Sequence, residues 1–211
     1  MILPPRLPSL IQPIAESDIW QTPPPLLDVL REHLGPILLD PCSAPDNPTQ
    51  ARIFFHGKDP AESYLDWPIG SDLGTAYDGR SGSKHGFVWV NHPYSQNKVW
   101  AVHVNRYVAQ RDAPTTIMIG PASTSAQWFQ DCANTATFCY FPGKRVAFLD
   151  PATKKPGKAA TKWPSVIFGW RFQQDGDLTL GEKLDAYFGK RGFVAKRSDL
   201  VRVNYNRWGT P

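Results

Sequence analysis

The side chains best suited to chemistry in this chain follow one apolar run. That run spans residues 87–90, and it is followed by Asn91, His92, Pro93, Tyr94 and Ser95. The Asn91 amide oxygen and the backbone carbonyl of His92 can accept hydrogen bonds from both N–H groups of an exocyclic amine, which pulls its lone pair out of conjugation. Pro93 keeps the preceding residue extended and so aims that carbonyl, and Tyr94 offers a ring on which a flipped-out base can stack. The turn favours methyl transfer to a nucleobase amine, although the same string is also typical of a plain polar turn with a packed tyrosine.

A carboxylate follows a second apolar run. Ile37, Leu38 and Leu39 predict a short buried strand, and Asp40 stands at its carboxyl end. In an α/β sheet, ligands bind beyond the carboxyl ends of the parallel strands. Asp40 is therefore a candidate binding residue, and its alternative role is to cap a loop or a helix.

Helix and strand patterns predict the elements that must hold these residues. Thr22 followed by Pro23 predicts a helix start, leucines repeat at helical spacing after it, and Gly35 predicts its stop, so we expect a helix over 23–34. The further predicted elements are a helix over 96–111 capped by Ser95, a strand over 115–119, a helix over 125–133, a strand over 137–140, and a closing strand over 166–172 with residues 147–149 as candidate hairpin partner. This alternation predicts an α/β fold with a mostly parallel, doubly wound sheet.

Three parts of the chain differ in composition. Residues 1–19 are rich in proline and predict an N-terminal arm, residues 20–175 hold the elements of one domain, and residues 176–211 predict a polar C-terminal tail packed on the domain or extending it. Two stretches predict loops, since residues 70–86 are rich in glycine and serine and residues 144–162 are basic with proline and glycine. The chain is thus expected to form a single domain with long connections.

Composition narrows the class of protein and its partners. With 211 residues, of which 41% are hydrophobic and 20% charged, the chain is typical of a globular protein with one core. A formal charge of +4 and a pI near 9.0 weakly favour a polyanionic partner. Three cysteines without a C-x-x-C pair and five scattered histidines predict no disulfide framework and no metal site, and they fit a reducing cytoplasm. No apolar run approaches the roughly 20 residues of a membrane span, so no membrane partner is expected.

Several segments of the chain, taken in order, resemble the bacteriophage-type DNA N6-adenine methyltransferase family, also called Dam-like. Members are small S-adenosylmethionine-dependent enzymes with a Rossmann-like fold. The segments that carry the resemblance are W-x-T-P at 20–23, Leu39-Asp40-Pro41-Cys42 with Asp46-Asn47 as a shortened first cofactor motif, Asn91 to Ser95 in place of N-P-P-Y, residues 117–121 with Trp128, G-K-R-V-A-F at 143–148, and Pro164-Ser165. Their common order is more specific than any one of them.

The resemblance implies a function and roles for named residues. It implies methyl transfer from S-adenosylmethionine to the N6 amino group of adenine in DNA, in the cytoplasm of a bacterial host if the gene is carried by a phage. The implied catalytic residues are Asn91, His92, Pro93 and Tyr94, and the implied cofactor-binding residues are Trp20, Thr22, Pro23, Asp40, Ser43 and Asn47. The candidate DNA-binding residues are Lys98, Lys144, Arg145, Lys154, Lys155, Lys158 and Lys162. Basic clusters of this kind are also typical of a solvated surface.

Two departures from the family pattern keep other functions open. The first strand is not followed by a G-x-G pair, and His92 stands where the family usually has proline, so the turn loses one φ restraint and gains an ionisable ring. The alternatives are a catalytically weak or silent methyltransferase-like DNA-binding protein, an N4-cytosine methyltransferase, which uses the same acceptor chemistry, and a protein glutamine methyltransferase. The basic 144–162 segment argues against the last of these.

Overall fold

The computed structural model of the chain describes residues 18 and 67 and the ranges 20–56, 86–110, 113–157, 163–171 and 176–196. Most of the predicted arm over 1–19, all but the last residue of the predicted loop over 70–86, and the end of the predicted tail after 196 lie outside the described residues. Lys158 and Lys162 of the basic loop also lie outside them. The described ranges hold the Asn91 turn, Asp40 and most of the basic loop.

Four α-helices and seven strands form within the described ranges. In chain order they are α1 (Pro24–Leu34), β1 (Ile37–Asp40), β2 (Ile53–Phe54), β3 (Phe87–Asn91), α2 (Asn97–Val108), β4 (Thr116–Pro121), α3 (Gln127–Thr135), β5 (Phe138–Phe141), β6 (Ser165–Trp170), α4 (Gly176–Phe188) and β7 (Phe193–Lys196). A short 3-10 helix over Tyr94–Gln96 joins β3 to α2. The sequence patterns predict these elements except β2, α4 and β7, because β2 is two residues long and the other two lie in the segment expected to be a polar tail.

All seven described strands join one sheet, in the order β2-β1-β3-β4-β6-β5-β7. The pairs β2-β1, β1-β3 and β3-β4 are parallel, and the pairs β4-β6, β6-β5 and β5-β7 are antiparallel. Since β6 and β7 run against the other five strands, the sheet is mixed where the sequence predicts a mostly parallel one. The described residues between β5 and β6 form no helix, and strands joined without a helical crossover pair antiparallel.

Helices cover both faces of the sheet, and β3 illustrates the consequence. Phe87 and Trp89 belong to the core formed with α1 and α4, whereas Val88 and Val90 belong to the core formed with α2 and α3. All four side chains are fully buried. A strand buried on both faces is apolar at every position rather than at alternate ones. The prediction of an α/β fold is confirmed.

The ends of α1 and the start of α2 lie within one residue of their predicted positions, but the predicted Ser95 cap of α2 does not form. Proline occupies the first turn of α1, where backbone N–H groups have no helical partner. Gly35 ends this helix with φ 92°, which favours glycine, and its N–H donates to the Arg31 carbonyl at 2.8 Å. At α2, the 3-10 turn takes the place of the predicted Ser95 cap, and no side chain caps the helix.

The basic loop after β5 folds back against the segment before α1. Leu149 forms one antiparallel bridge with Gln21 and a second with Pro156, and residues 149–157 are called the strap from here on. The predicted hairpin between the closing strand and residues 147–149 is wrong. β6 pairs along its whole length with β4 and pairs with β5 on its other edge, so neither edge remains for Leu149.

Long apolar helices and metal clusters are both missing from the part of the chain that the structure describes. Within it, no helix combines the length and the apolar character needed to cross a membrane. Metal-ligating side chains do not come together in groups of three or more within the same residues. The three cysteines are free, with Cys42 half-buried and Cys132 and Cys139 buried.

Candidate active site

A cavity of about 450 Å³ lies at the carboxyl ends of β1 and β3. β2 pairs with β1 on the side away from β3, so the order of the strands reverses between β1 and β3. Open α/β sheets bind their ligands at such a reversal, because the connections that leave the two strands diverge. Six of the predicted site residues line the cavity, namely Trp20, Thr22, Asp40, Ser43, Asn91 and Pro93.

The side-chain amide of Asn91 is held in one orientation. Its Nδ2 donates to the backbone carbonyl of Trp20 at 3.0 Å, so the amide oxygen is turned to the other side as an acceptor. The strap holds Trp20 in turn. Gln21 exchanges two backbone hydrogen bonds with Leu149, at 2.9 and 2.8 Å, and a Cβ added to Gly157 would lie 2.1 Å from the Trp20 ring. The strap therefore fixes the carbonyl that orients Asn91.

The turn after β3 closes without using the carbonyl of His92. Pro93 has φ −58° and ψ 122°, and its carbonyl accepts from the Gln96 N–H at 2.9 Å. The Asn97 side chain donates from Nδ2 to the Tyr94 carbonyl at 2.5 Å. These bonds leave the His92 carbonyl, the second predicted acceptor, out of the hydrogen bonding that closes the turn.

The His92 ring is a buried and neutral packing group. It is 2% exposed, and the centroids of the Trp100 and Trp128 rings lie 6.1 and 6.4 Å away. Its Nε2 is 2.7 Å from Oδ1 of Asn97, and because Nδ2 of Asn97 already donates within the turn, Nε2 carries the proton of this bond. Burial lowers the pKa of His92 to about 4, although the hydrogen bond with Asn97 acts in the opposite direction. The ionisable ring that replaces the family's proline is therefore uncharged at neutral pH.

Asp40 is a buried carboxylate on the cavity wall, 2% exposed. Its Oδ2 accepts from the Thr49 hydroxyl at 2.6 Å, and its Oδ1 accepts from the Cys42 N–H at 3.2 Å. Burial raises the pKa of the Asp40 carboxyl from 3.8 to about 6, while the hydrogen bonds from Thr49, Cys42 and Ser43 act to lower it. At neutral pH the group is mostly ionised in an unfavourable environment, and a cationic ligand would stabilise that state.

Several buried polar atoms of cavity residues have no hydrogen-bond partner among the described residues. They include Oδ2 of Asp18, Oγ1 of Thr22 and Nε1 of Trp89. Buried polar groups are nearly always hydrogen-bonded, so these atoms indicate a ligand or water in the cavity. Asp18 also contacts the turn after β3, since its Oδ1 accepts from the Ser95 N–H at 3.3 Å. The sequence patterns single out neither Asp18 nor Trp89, because one lies in an aperiodic segment and the other in a strand where aromatic residues normally pack.

Two of the predicted cofactor-binding residues lie outside the cavity wall. Asn47 adopts φ 46°, and its side chain bonds both the carbonyl and the N–H of Ala51, at 3.0 and 3.1 Å. It therefore shapes the loop that carries Thr49 to Asp40. Pro23 is buried immediately before α1, where its carbonyl accepts from the Leu26 N–H at 3.0 Å.

Tyr94, the predicted stacking residue, packs inward in this structure. It is half-buried, its ring is edge-on to Phe148 with centroids 6.2 Å apart, and it does not line the cavity. Burial raises the pKa of the Tyr94 hydroxyl well above its usual value. The aromatic side chains that do line the cavity are Trp20, His56, Trp89 and Trp100. This packing is what the plain polar turn predicts for the tyrosine.

The predicted DNA-binding residues differ in their surroundings. Those described are all exposed, namely Lys98 in the first turn of α2, Lys144 and Arg145 after β5, and Lys154 and Lys155 in the strap. Of these, Lys154 donates to Oε1 of Gln21 at 2.9 Å and pairs with Asp46 at 3.0 Å. It ties the strap to the loop after β1, although an ion pair this exposed contributes only about 0 to 1 kcal/mol.

The fold and the cavity together define a class of protein. It is an α/β protein in which an oriented amide, a buried carboxylate and polar atoms without described partners meet at the carboxyl edge of the sheet. The chain matches the family model described as DNA N-6-adenine-methyltransferase (Dam) over residues 11–187, and it belongs to this family. The resemblance inferred from the ordered segments is thus confirmed. Searches of curated proteins and of solved structures returned no match.

Proposed function

We propose that this chain transfers the methyl group of S-adenosylmethionine to the N6 amino group of adenine in DNA. The observation that carries the proposal is the orientation of the Asn91 amide, because its Nδ2 is held by Trp20 and its oxygen is left to accept from a target amine. Membership in the Dam family supports the same reaction. The reversal of strand order beside the cavity supports a Rossmann-like assignment of the fold.

The cavity residues suit S-adenosylmethionine, which supplies a methyl group on a positively charged sulfur when bound. Asp40 offers a buried carboxylate whose ionised form gains from a nearby cation. The Thr22 hydroxyl and the Trp89 N–H would hold the polar substituents of the donor, since both atoms have no described partner. A volume of about 450 Å³ lies within the usual range of small-molecule sites.

Asn91 and the His92 carbonyl would hold the target amine by its two N–H groups. Two acceptors placed in this way localise the lone pair on the nitrogen and direct it at the methyl group. Neither acceptor has to be a strong base, so positioning is the main source of the rate. The Trp20 carbonyl and the strap behind it keep the Asn91 oxygen in place for this purpose.

The silent DNA-binding alternative depends on His92, and the surroundings of that residue favour turnover instead. The ring is uncharged, buried and bonded to Asn97. Asn97 also bonds the Tyr94 carbonyl, so one side chain links both ends of the turn. We infer that this link replaces the rigidity that the family's proline supplies.

His92→Pro is expected to lower the free energy of unfolding by at least about 2 kcal/mol without raising the methyl-transfer rate. The change deletes a buried ring and leaves Oδ1 of Asn97 without its donor. Thermal unfolding, together with the rate per folded molecule, measures both effects. Asn97→Ala is the matched control, since it breaks the same hydrogen bond and leaves the backbone of residue 92 unchanged. A proline variant that is both stable and faster would contradict this account.

The proposed reaction is tested by incubating the protein with labelled donor and unmodified DNA and then digesting the DNA to nucleosides. N6-methyladenine is the expected product, and Asn91→Ala is the control that should yield far less of it in the same time. N4-methylcytosine would instead assign the sister specificity, because the acceptor chemistry is shared. Label in protein rather than in DNA would indicate glutamine methylation. Tight donor binding with no product on varied DNA would favour the silent protein.

A further inference from the structure

Two turns beside β5 and β7, the last two strands of the sheet, bring exposed basic side chains together. Lys144 follows β5, and Lys190 and Arg191 precede β7, and all three are exposed. A Cβ added to Gly143 would lie 2.3 Å from the Arg191 carbonyl, and one added to Gly189 would lie 3.6 Å from Nζ of Lys144. The two turns are therefore in direct contact, although their lysines are 46 positions apart in the sequence.

The carboxylate that reaches these turns is directed inward. Oδ1 of Asp185 accepts from the Tyr140 hydroxyl at 2.8 Å and from the Gly192 N–H at 2.7 Å. It braces the backbone of the second turn and does not form a described ion pair with Lys190 or Arg191. The outer side of the two turns consequently carries positive charge.

An exposed aromatic ring adjoins these cations. Phe193 is 64% exposed at the start of β7, the edge strand of the sheet, and its ring centroid lies 6.0 Å from that of Phe141. Positive side chains combined with an exposed aromatic ring suit nucleic acid, which offers phosphates to the cations and sugar or base surface to the ring.

This surface and Asn91 lie at the same end of the strands. β5 runs in the same direction as β3, and β7 starts beside the end of β5, since Phe193 pairs with Phe141. Four strand spacings separate β3 from β7 in the sheet, which is about 19 Å at roughly 4.8 Å per spacing. That distance equals about five to six base pairs along a duplex at roughly 3.4 Å each.

We propose that Lys144, Lys190, Arg191 and Phe193 form a surface that binds the backbone of duplex DNA beside the target base. The inference rests on the proposed function, because it takes the base held at Asn91 as its reference point. The three cations contact phosphates several base pairs from the target. Phe193 contacts the deoxyribose surface between these phosphates.

The test is fluorescence anisotropy of a labelled DNA duplex bound by the full chain over a series of salt concentrations. Lys190→Glu with Arg191→Glu is expected to weaken binding by about tenfold or more and to lower the slope of log K against log salt by about two. Phe193→Ala should weaken binding without changing the slope, because an apolar contact releases no counterions. Binding of S-adenosylmethionine should be unchanged in both variants.

Arg52→Glu with Arg106→Glu is the matched control. Both arginines are exposed. They lie near the amino ends of the strands, opposite to Asn91, since Arg52 comes before β2 and Arg106 is in the last turn of α2. The control alters the net charge by the same amount and should leave the affinity within about twofold. If both double variants lost the same affinity for duplex DNA, or if neither lost any, the proposed surface would be wrong. The proposed function would still stand if the protein methylated DNA. A wild-type chain that binds no duplex and methylates no DNA would overturn the proposed function as well.

Discussion

Asn91→Ala is expected to reduce methyl transfer by about a thousandfold while leaving S-adenosylmethionine binding unchanged. The alanine removes the acceptor that would hold the target amine, and loss of one preorganised polar group at a reacting centre typically costs about 10² to 10³ in rate. Donor binding should persist, because Asp40, Thr22 and Trp89 remain in place on the cavity wall. Single-turnover methylation and calorimetric titration of the donor measure the two quantities separately.

Asn91→Asp separates the two hydrogen-bonding functions of the amide. The carboxylate retains an acceptor for the amine, but it cannot donate to the Trp20 carbonyl as Nδ2 does. We expect this variant to lose some rate, because its acceptor is no longer held in place. The loss should be smaller than in the alanine variant, because an acceptor is still present. If either variant bound the donor as poorly as it transferred the methyl group, Asn91 would be a cofactor-binding or structural residue.

Asp40→Asn is expected to weaken donor binding by about tenfold or more and to stabilise the free protein at neutral pH. The ionised carboxylate would attract the cationic donor, whereas the amide has no charge to offer. In the free protein that charge is unfavourable, since a rise of the pKa of Asp40 from 3.8 to about 6 corresponds to about 3 kcal/mol at pH 7. Asp46→Asn is the matched control, because Asp46 is an exposed carboxylate on the same loop.

The pH dependence of stability follows from the direction of the Asp40 pKa shift. Between pH 4 and 6 the folded protein holds a proton on Asp40 that the unfolded chain releases, so the stability from this group is lost as pH rises through that window. The melting temperature of Asp40→Asn should therefore exceed that of the wild type more at pH 7.5 than at pH 5. A difference independent of pH would show that Asp40 does not titrate in this window.

His92 has the opposite effect on the pH dependence of stability over the same acidic range. Its pKa is lowered from 6.5 to about 4, so the unfolded chain binds the proton that the folded protein excludes. Stability from His92 is therefore present above pH 6.5 and is lost as pH falls towards 4. The two residues partly offset each other, which is why the Asp40 measurement compares variant and wild type at each pH.

Local patterns were enough to predict the elements that carry the site. Proline at the start of α1 and Gly35 after it act on their own backbone, and the apolar runs that end at Asp40 and Asn91 are buried on both faces. The ordered motifs were likewise enough to predict the family. By contrast, β7 pairs with β5 from a segment about 50 residues later in the chain. Its four residues have no alternating pattern that would predict a strand.

What the sequence by itself determined about this protein is the identity of the residues at the ends of β1 and β3, because strand periodicity and turn chemistry act between neighbours. Only the tertiary structure decided how those residues are used. The Trp20 carbonyl that orients Asn91 lies 71 positions away, and the burial that neutralises His92 depends on Trp100 and Trp128 from two helices. Lys154 pairs with Asp46 across 108 positions. Such contacts join residues that are distant in the sequence. The order of the strands in the sheet decides which of these residues meet.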